Sequence, residues 1–150
     1  MSSDPGVTQC LAAIRTLLSV GVLVVCAGGG GVPVAVAPSG RVDGVEAVVD
    51  KDLVSALLAS EVAADALLLL TDVDAVLADW PSPARTPIRH ATPAELRKVR
   101  FAPGSMGPKV EAACRFAERT GGLAAIGALE DAARLLRAEA GTVVTRSRHE

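Results

Sequence analysis

The run ALLLLT, residues 66–71, limits what this chain can become more than any other stretch. It carries no charge and no alternating polar face, and it stops at a polar TDVD. That is the pattern of a strand covered on both sides, as in a parallel sheet. The rest of the chain alternates around it. Leu11, Ile14 and Leu18 fall at helical spacing in a segment ending at Gly21, and VLVVCA (22–27) then reads as a buried strand. VPVAVA (32–37) is a second strand-like run, which Pro33 limits to an edge or a strand start. GVEAVVD (44–50) connects it to a helix opening at Lys51.

Beyond ALLLLT, residues 72–91 read mostly as loop, broken by Pro81, Pro83 and Pro87. A helix then opens with a capping box, Thr92 to Glu95, and Pro93 in its first turn. After RFAPGSMGP (100–108), a helix containing Lys109 runs to Gly121 and Gly122, which suit a left-handed C-cap. LAAIG (123–127) is a further strand, ALEDAARLLRAEAG (128–141) a helix stopped by Gly141, and TVVT (142–145) a last strand. Strand and helix alternating along one chain predict an open α/β sheet with helices on both sides. Ligands in such sheets bind beyond the carboxyl ends of the strands, which directs attention to the residues after Ala27, Thr71 and Gly127.

At 150 residues the chain has room for one domain with a real core. Half its residues are apolar but only 2% are aromatic, so that core must be built from Ala, Val and Leu. The net charge of −2, with acids and bases mixed, offers no basic stripe for nucleic acid. No apolar run approaches the roughly 20 residues that span a bilayer. MSSDPGVTQ at the start lacks the basic and apolar regions of a signal peptide. Cys10, Cys26 and Cys114 are scattered without a CxxC pair, and are expected to be buried thiols in a reducing cytoplasm. His90 and His149 lie far apart, and neither is assigned a catalytic task.

Two lysines stand where helices begin. Lys51 lies between Asp50 and Asp52, and Lys109 follows Pro108. A helix N-terminus carries partial positive charge, so each lysine is disfavoured there by about 0.3–1 kcal/mol while the aspartates are welcome. A repeated misfit of this kind suggests that an anion is meant to sit nearby.

Three other segments carry candidate chemistry. Gly28, Gly29, Gly30 and Gly31 follow a strand-like run, where glycines allow either a sharp turn or close approach of backbone to a ligand. No Gly-Lys-Ser/Thr follows, and the next segment is strand-like, so this is neither a Walker A loop nor a dinucleotide fingerprint. Thr71, Asp72, Val73 and Asp74 end a strand, where an aspartate satisfies a turn or contacts a ribose or a hydrated metal. Gly104, Ser105 and Met106, followed by Lys109, offer amides at a helix start together with an ammonium group, a combination suited to phosphate.

GGGG, DKD, TDVD and FAPGSMGPK, in that order and spacing, resemble the carbamate kinases of the amino-acid-kinase superfamily. The resemblance covers about Leu11 to Thr145, leaving residues 1–10 as a non-matching start and 11–150 as a C-terminal, nucleotide-binding part. It implies a three-layer αβα sandwich and a reaction of ATP and carbamate giving ADP and carbamoyl phosphate with Mg2+, in a cytoplasmic homodimer. By position it implies Lys51 and Lys109 as catalytic lysines and Asp52 as the carboxylate that holds them. Thr71–Asp74 and Gly104–Met106 match nucleotide-binding elements, and Gly28–Gly31 match a segment facing the transferred phosphoryl group.

In-line transfer needs alignment and neutralisation of charge on the moving group, which two fixed ammonium groups supply. Substituting either lysine is therefore expected to abolish transfer and leave the fold intact. The chain corresponds to about half a family member. The resemblance places the carbamate pocket, another phosphate loop and much of the dimer contact in the other half, so the isolated chain is expected to bind nucleotide weakly and to turn over poorly. A non-catalytic nucleotide-binding remnant and a sister kinase acting on an amino acid or UMP are the alternatives. Leu77 stands where the family has an aromatic, and Ala128 where it has a capping serine.

Overall fold

The computed structural model describes residues 5–78, 82, 85–101 and 106–147. Gly104 and Ser105 of the expected nucleotide-binding segment lie outside the described residues, as do Pro81, Pro83 and His149. Helix α1 (Pro5–Ser19) is followed by a hairpin of β1 (Val34–Val36) and β2 (Val42–Gly44) and by α2 (Lys51–Glu61). β3 (Ala66–Thr71), the ALLLLT run, leads to the two-residue strands β4 (Leu77–Ala78), β5 (Thr86–Pro87) and β6 (His90–Ala91). Then come α3 (Pro93–Leu96), α4 (Met106–Thr120), β7 (Leu123–Ala128), α5 (Ala132–Leu136) and β8 (Thr142–Val144).

The central sheet has the order β3-β7-β8-β6. β3 and β7 run parallel over six paired residues, from Ala66 opposite Leu123 to Thr71 opposite Ala128. β6 and β8 are also parallel, and the two pairs meet antiparallel at β7 and β8. Side chains alternate across a strand, and β7 shows both faces at work. Ala124 and Ile126 join the core with Ala112, Ala113, Phe116 and Ala117 of α4. On the opposite face, a side chain at Gly127 would strike Leu135 of α5. Helices therefore cover both sides, giving three αβα layers. The core is largely Ala, Val and Leu as the composition requires, with Phe116 its largest fully buried side chain.

Local rules hold α3 and α4 in place. Thr92 accepts from the Glu95 amide while the Glu95 carboxylate accepts from the Thr92 amide, completing the capping box. Arg97, just past α3, forks onto Glu118 of α4, one arm at 2.8 Å. That guanidinium, chiefly through its hydrogen bond, holds the Glu118 carboxyl below its ordinary range. α4 ends at Gly121 in the left-handed region, with φ +73°, its amide donating to Ala117 at 2.9 Å.

Three expectations need correction. VLVVCA (22–27) is not a buried strand: Leu23 and Val25 are 91% and 92% exposed, and no described strand pairs with it. Apolar periodicity reports what a segment could bury, whereas a strand exists only where a neighbour completes its ladder. The last helix stops at Leu136 rather than at Gly141, because Ala138 turns left-handed at φ +58° and the Glu139 amide closes back on Arg134. A short excursion suffices to return the chain antiparallel beside β7. Finally, Cys10 and Cys26 are exposed, and only Cys114 is buried, its thiol pushed up to about 11 chiefly by desolvation.

A single buried hydroxyl ties together the two ends of the loop after β3, beside their own backbone bonds. Fully buried Thr142 accepts from the Val76 amide at 2.8 Å and donates to the Ile88 carbonyl at 2.6 Å. Thr142→Val keeps the shape and strands both backbone groups. It is expected to lower unfolding free energy by about 1–3 kcal/mol in urea denaturation.

Candidate functional site

Both lysines sit where the spacing predicts, at the openings of helices. Lys51 is the first residue of α2, and Lys109 lies in the first turn of α4. α2 packs on α4, which brings the two helix starts together. The Lys109 ammonium donates to both oxygens of Asp52, each at 3.0 Å, and the Lys51 nitrogen stands 3.8 Å from Oδ2 of the same carboxylate. Side-chain exposure differs sharply between them: Lys109 and Asp52 are 13% and 10% exposed, Lys51 62%. Lys109 and Asp52 form a nearly buried pair, while the Lys51 ammonium is free to meet a ligand.

The glycine segment abuts the same place. Gly28, Gly30 and Gly31 all have positive φ, and the turn is closed by the Gly30 amide donating to the Ala27 carbonyl at 2.9 Å. At Gly30 the reason for glycine is explicit: a Cβ there would lie 2.2 Å from the Val49 carbonyl oxygen and 3.4 Å from the Lys51 amide nitrogen. The loop thus presses on the backbone immediately before α2. Gly29 has no such neighbour within 4 Å.

The backbone before α2 is also fixed from the other side. The Asp50 side chain accepts hydrogen bonds from the amides of Asp52 and Leu53, at 2.8 and 3.1 Å. The helix macrodipole alone explains why an aspartate is welcome here; an aspartate directly before a helix is also the ordinary signal of an N-cap.

Thr71, Asp72, Val73 and Asp74 lie at and beyond the carboxyl end of β3, where Thr71 donates to Asp72 at 3.1 Å. Met106 begins α4. Asp74 also lines a cavity of about 460 Å³ beyond the carboxyl ends of β3 and β7, with Arg89, His90, Arg134 and Gly141. That cavity does not include Lys51, Asp52 or Lys109, and no motif in the sequence pointed to Arg89 or Arg134. Leu77 pairs with Pro87 across β4 and β5, and Ala128 supplies no side-chain cap to the turn that follows it.

Comparison with known proteins gives this geometry a context. The profile of the amino acid kinase family matches residues 5–126. A carbamate kinase from Rhizobium meliloti is 50% identical over 139 residues, which cover 91% of this chain and 43% of that protein. One from Haemophilus influenzae is 46% identical, over 89% of this chain and 43% of its own length. A solved carbamate kinase from Giardia lamblia, bound to AMP-PNP, superposes with a TM-score of 0.87 at 35% identity, covering 92% of this chain and 50% of that one. The chain thus spans less than half the length of these two curated relatives.

Proposed function

Because the chain belongs to the amino acid kinase family, we propose that it forms the nucleotide-side portion of a carbamate kinase, acting in a cytoplasmic homodimer. The reaction moves the γ-phosphoryl group of ATP to an oxygen of carbamate. The bond from γ-phosphorus to the bridging oxygen breaks, a bond from phosphorus to the carbamate oxygen forms, and ADP leaves with the bridging oxygen. Run in reverse, it makes ATP from ADP and carbamoyl phosphate and releases carbamate.

The observation that carries this reading is the convergence of two ammonium groups on one carboxylate at adjoining helix starts, against a glycine loop. Phosphoryl transfer leaves the protein little covalent work, so fixed positive charge near the moving group is its principal contribution. Asp52 offsets the repulsion between the lysines, and Lys51, the exposed one, contacts the phosphoryl oxygens. Thr71–Asp74 and Gly104–Met106 hold the nucleotide, and Gly28–Gly31 allow the transferred group to approach. Carbamate is bound by residues beyond this chain.

Mg2+ fits as a passenger on the nucleotide. Among the described residues no three or more His, Cys, Asp or Glu side chains gather closely enough to hold a metal. Magnesium commonly keeps water and phosphate oxygens as most of its shell, which requires no such cage. When bound, it neutralises phosphate charge.

Calorimetry of the purified chain with MgADP tests the proposal. Weak, saturable heat is expected, with little or no ATP formed from MgADP and carbamoyl phosphate until the rest of the kinase is supplied. No heat would overturn the nucleotide reading, and turnover comparable to a full-length relative would overturn the division of labour.

A further inference from the structure

We propose that Asp50 is a positioning residue for this site, holding Lys51 and Asp52 in register by occupying the helix start that a phosphate would otherwise reach. The inference rests on the reading of the two lysines as the phosphoryl-facing groups. It concerns how α2 presents them.

The first amides of a helix have no partner within it and commonly receive an anion. In α2 three of them are already engaged. The amides of Asp52 and Leu53 donate to the Asp50 carboxylate, and the Val54 amide donates to the Asp50 carbonyl at 3.1 Å. The Lys51 amide nitrogen lies against Gly30. A phosphate oxygen could use the Asp52, Leu53 and Val54 amides only by displacing Asp50. α2 therefore meets an anion with the Lys51 ammonium and the Lys51 amide beside it, and with no further amide of its first turn.

The same cap governs Asp52. Lys51 and Asp52 are the first two residues of α2, the turn that frays when a cap is lost. Asp52 must stay in that turn to receive Lys109 from a helix 57 positions away in sequence. Asp50 reaches the Lys109 ammonium through Asp52 without touching it.

Hydrogen exchange followed by NMR on the 15N-labelled full chain, without ligand, tests the proposal. The parent should show a protected Lys109 ammonium and slow Asp52 and Leu53 amides. In Asp50→Ala the two amides should exchange at least tenfold faster and the ammonium signal should be lost to water exchange, with the remaining spectrum unchanged. Asp50→Asn and Asp50→Ser, which can still cap, should restore both. Should Asp50→Ala fail to fold, Asp50→Gly, which keeps the cap to within a few tenths of a kcal/mol, carries the amide readout: Asp52 and Leu53, having lost the carboxylate, should exchange faster. A Lys109 ammonium as protected in Asp50→Ala as in the parent would overturn the proposal, as would Asp52 and Leu53 amides as slow in Asp50→Gly as in the parent, or failure of both Asn and Ser to restore protection. The MgADP titration is read separately: a parent that binds none refutes the nucleotide reading and leaves the exchange result standing.

Discussion

Lys109→Ala is expected to lower the unfolding free energy by about 3 kcal/mol, at the lower end of the cost of removing one partner from a buried ion pair. Both oxygens of Asp52 accept from this ammonium at 3.0 Å, so truncation leaves a nearly buried carboxylate with only Lys51, at 3.8 Å. Lys51→Ala should behave differently. Its side chain is 62% exposed, and exposed ion pairs contribute about 0–1 kcal/mol. Urea denaturation of the two variants should separate them cleanly. The double variant Asp52→Asn with Lys109→Gln should recover part of the loss, because no uncompensated buried charge remains. Equal midpoints for Lys109→Ala and the parent would refute the buried pair. Both variants are expected to keep the fold, Lys51→Ala at nearly the parent's stability and Lys109→Ala with a reduced margin. Loss of transfer in an assembled enzyme is cleanly interpretable only for Lys51→Ala.

Gly30→Ala is expected to cost at least about 2 kcal/mol, whereas Gly29→Ala should stay within about 0.5 kcal/mol. At Gly30 the backbone has φ +139°, and an added Cβ would sit 2.2 Å from a carbonyl oxygen, which cannot swing aside as a side-chain tip could. Relief requires moving Val49, and with it the start of α2. Gly29 has neither a positive φ nor a neighbour within 4 Å. Parallel denaturation curves of the two alanine variants check this, and coincident curves would show that the loop does not press on α2.

Legibility in the sequence followed how local each determinant was. ALLLLT announced β3 because burial on both faces leaves a continuous apolar run, and Thr92 with Glu95 announced α3 because a capping box closes within four residues. Gly121 marked the end of α4 for the same reason. VLVVCA misled because its composition was right for a strand while the neighbours needed to pair it are absent among the described strands. The early end of α5 depended on Ala138 adopting a left-handed conformation that alanine does not advertise. At the candidate site, spacing placed Lys51 and Lys109 at helix starts but could not show that the two starts adjoin; that depends on α2 packing against α4. The Asp50 cap is legible from the sequence, since a cap needs only an aspartate directly before the helix.

The Thr142 hydroxyl has a mechanical consequence. Val76 follows the Asp72–Asp74 turn and Ile88 precedes β6, and both are pinned to the same oxygen. The Ile88 amide also donates to the Val76 carbonyl at 2.8 Å, so the two segments are riveted twice. Any ligand that tugs on the tip of β3 must drag the far margin of the sheet along with it.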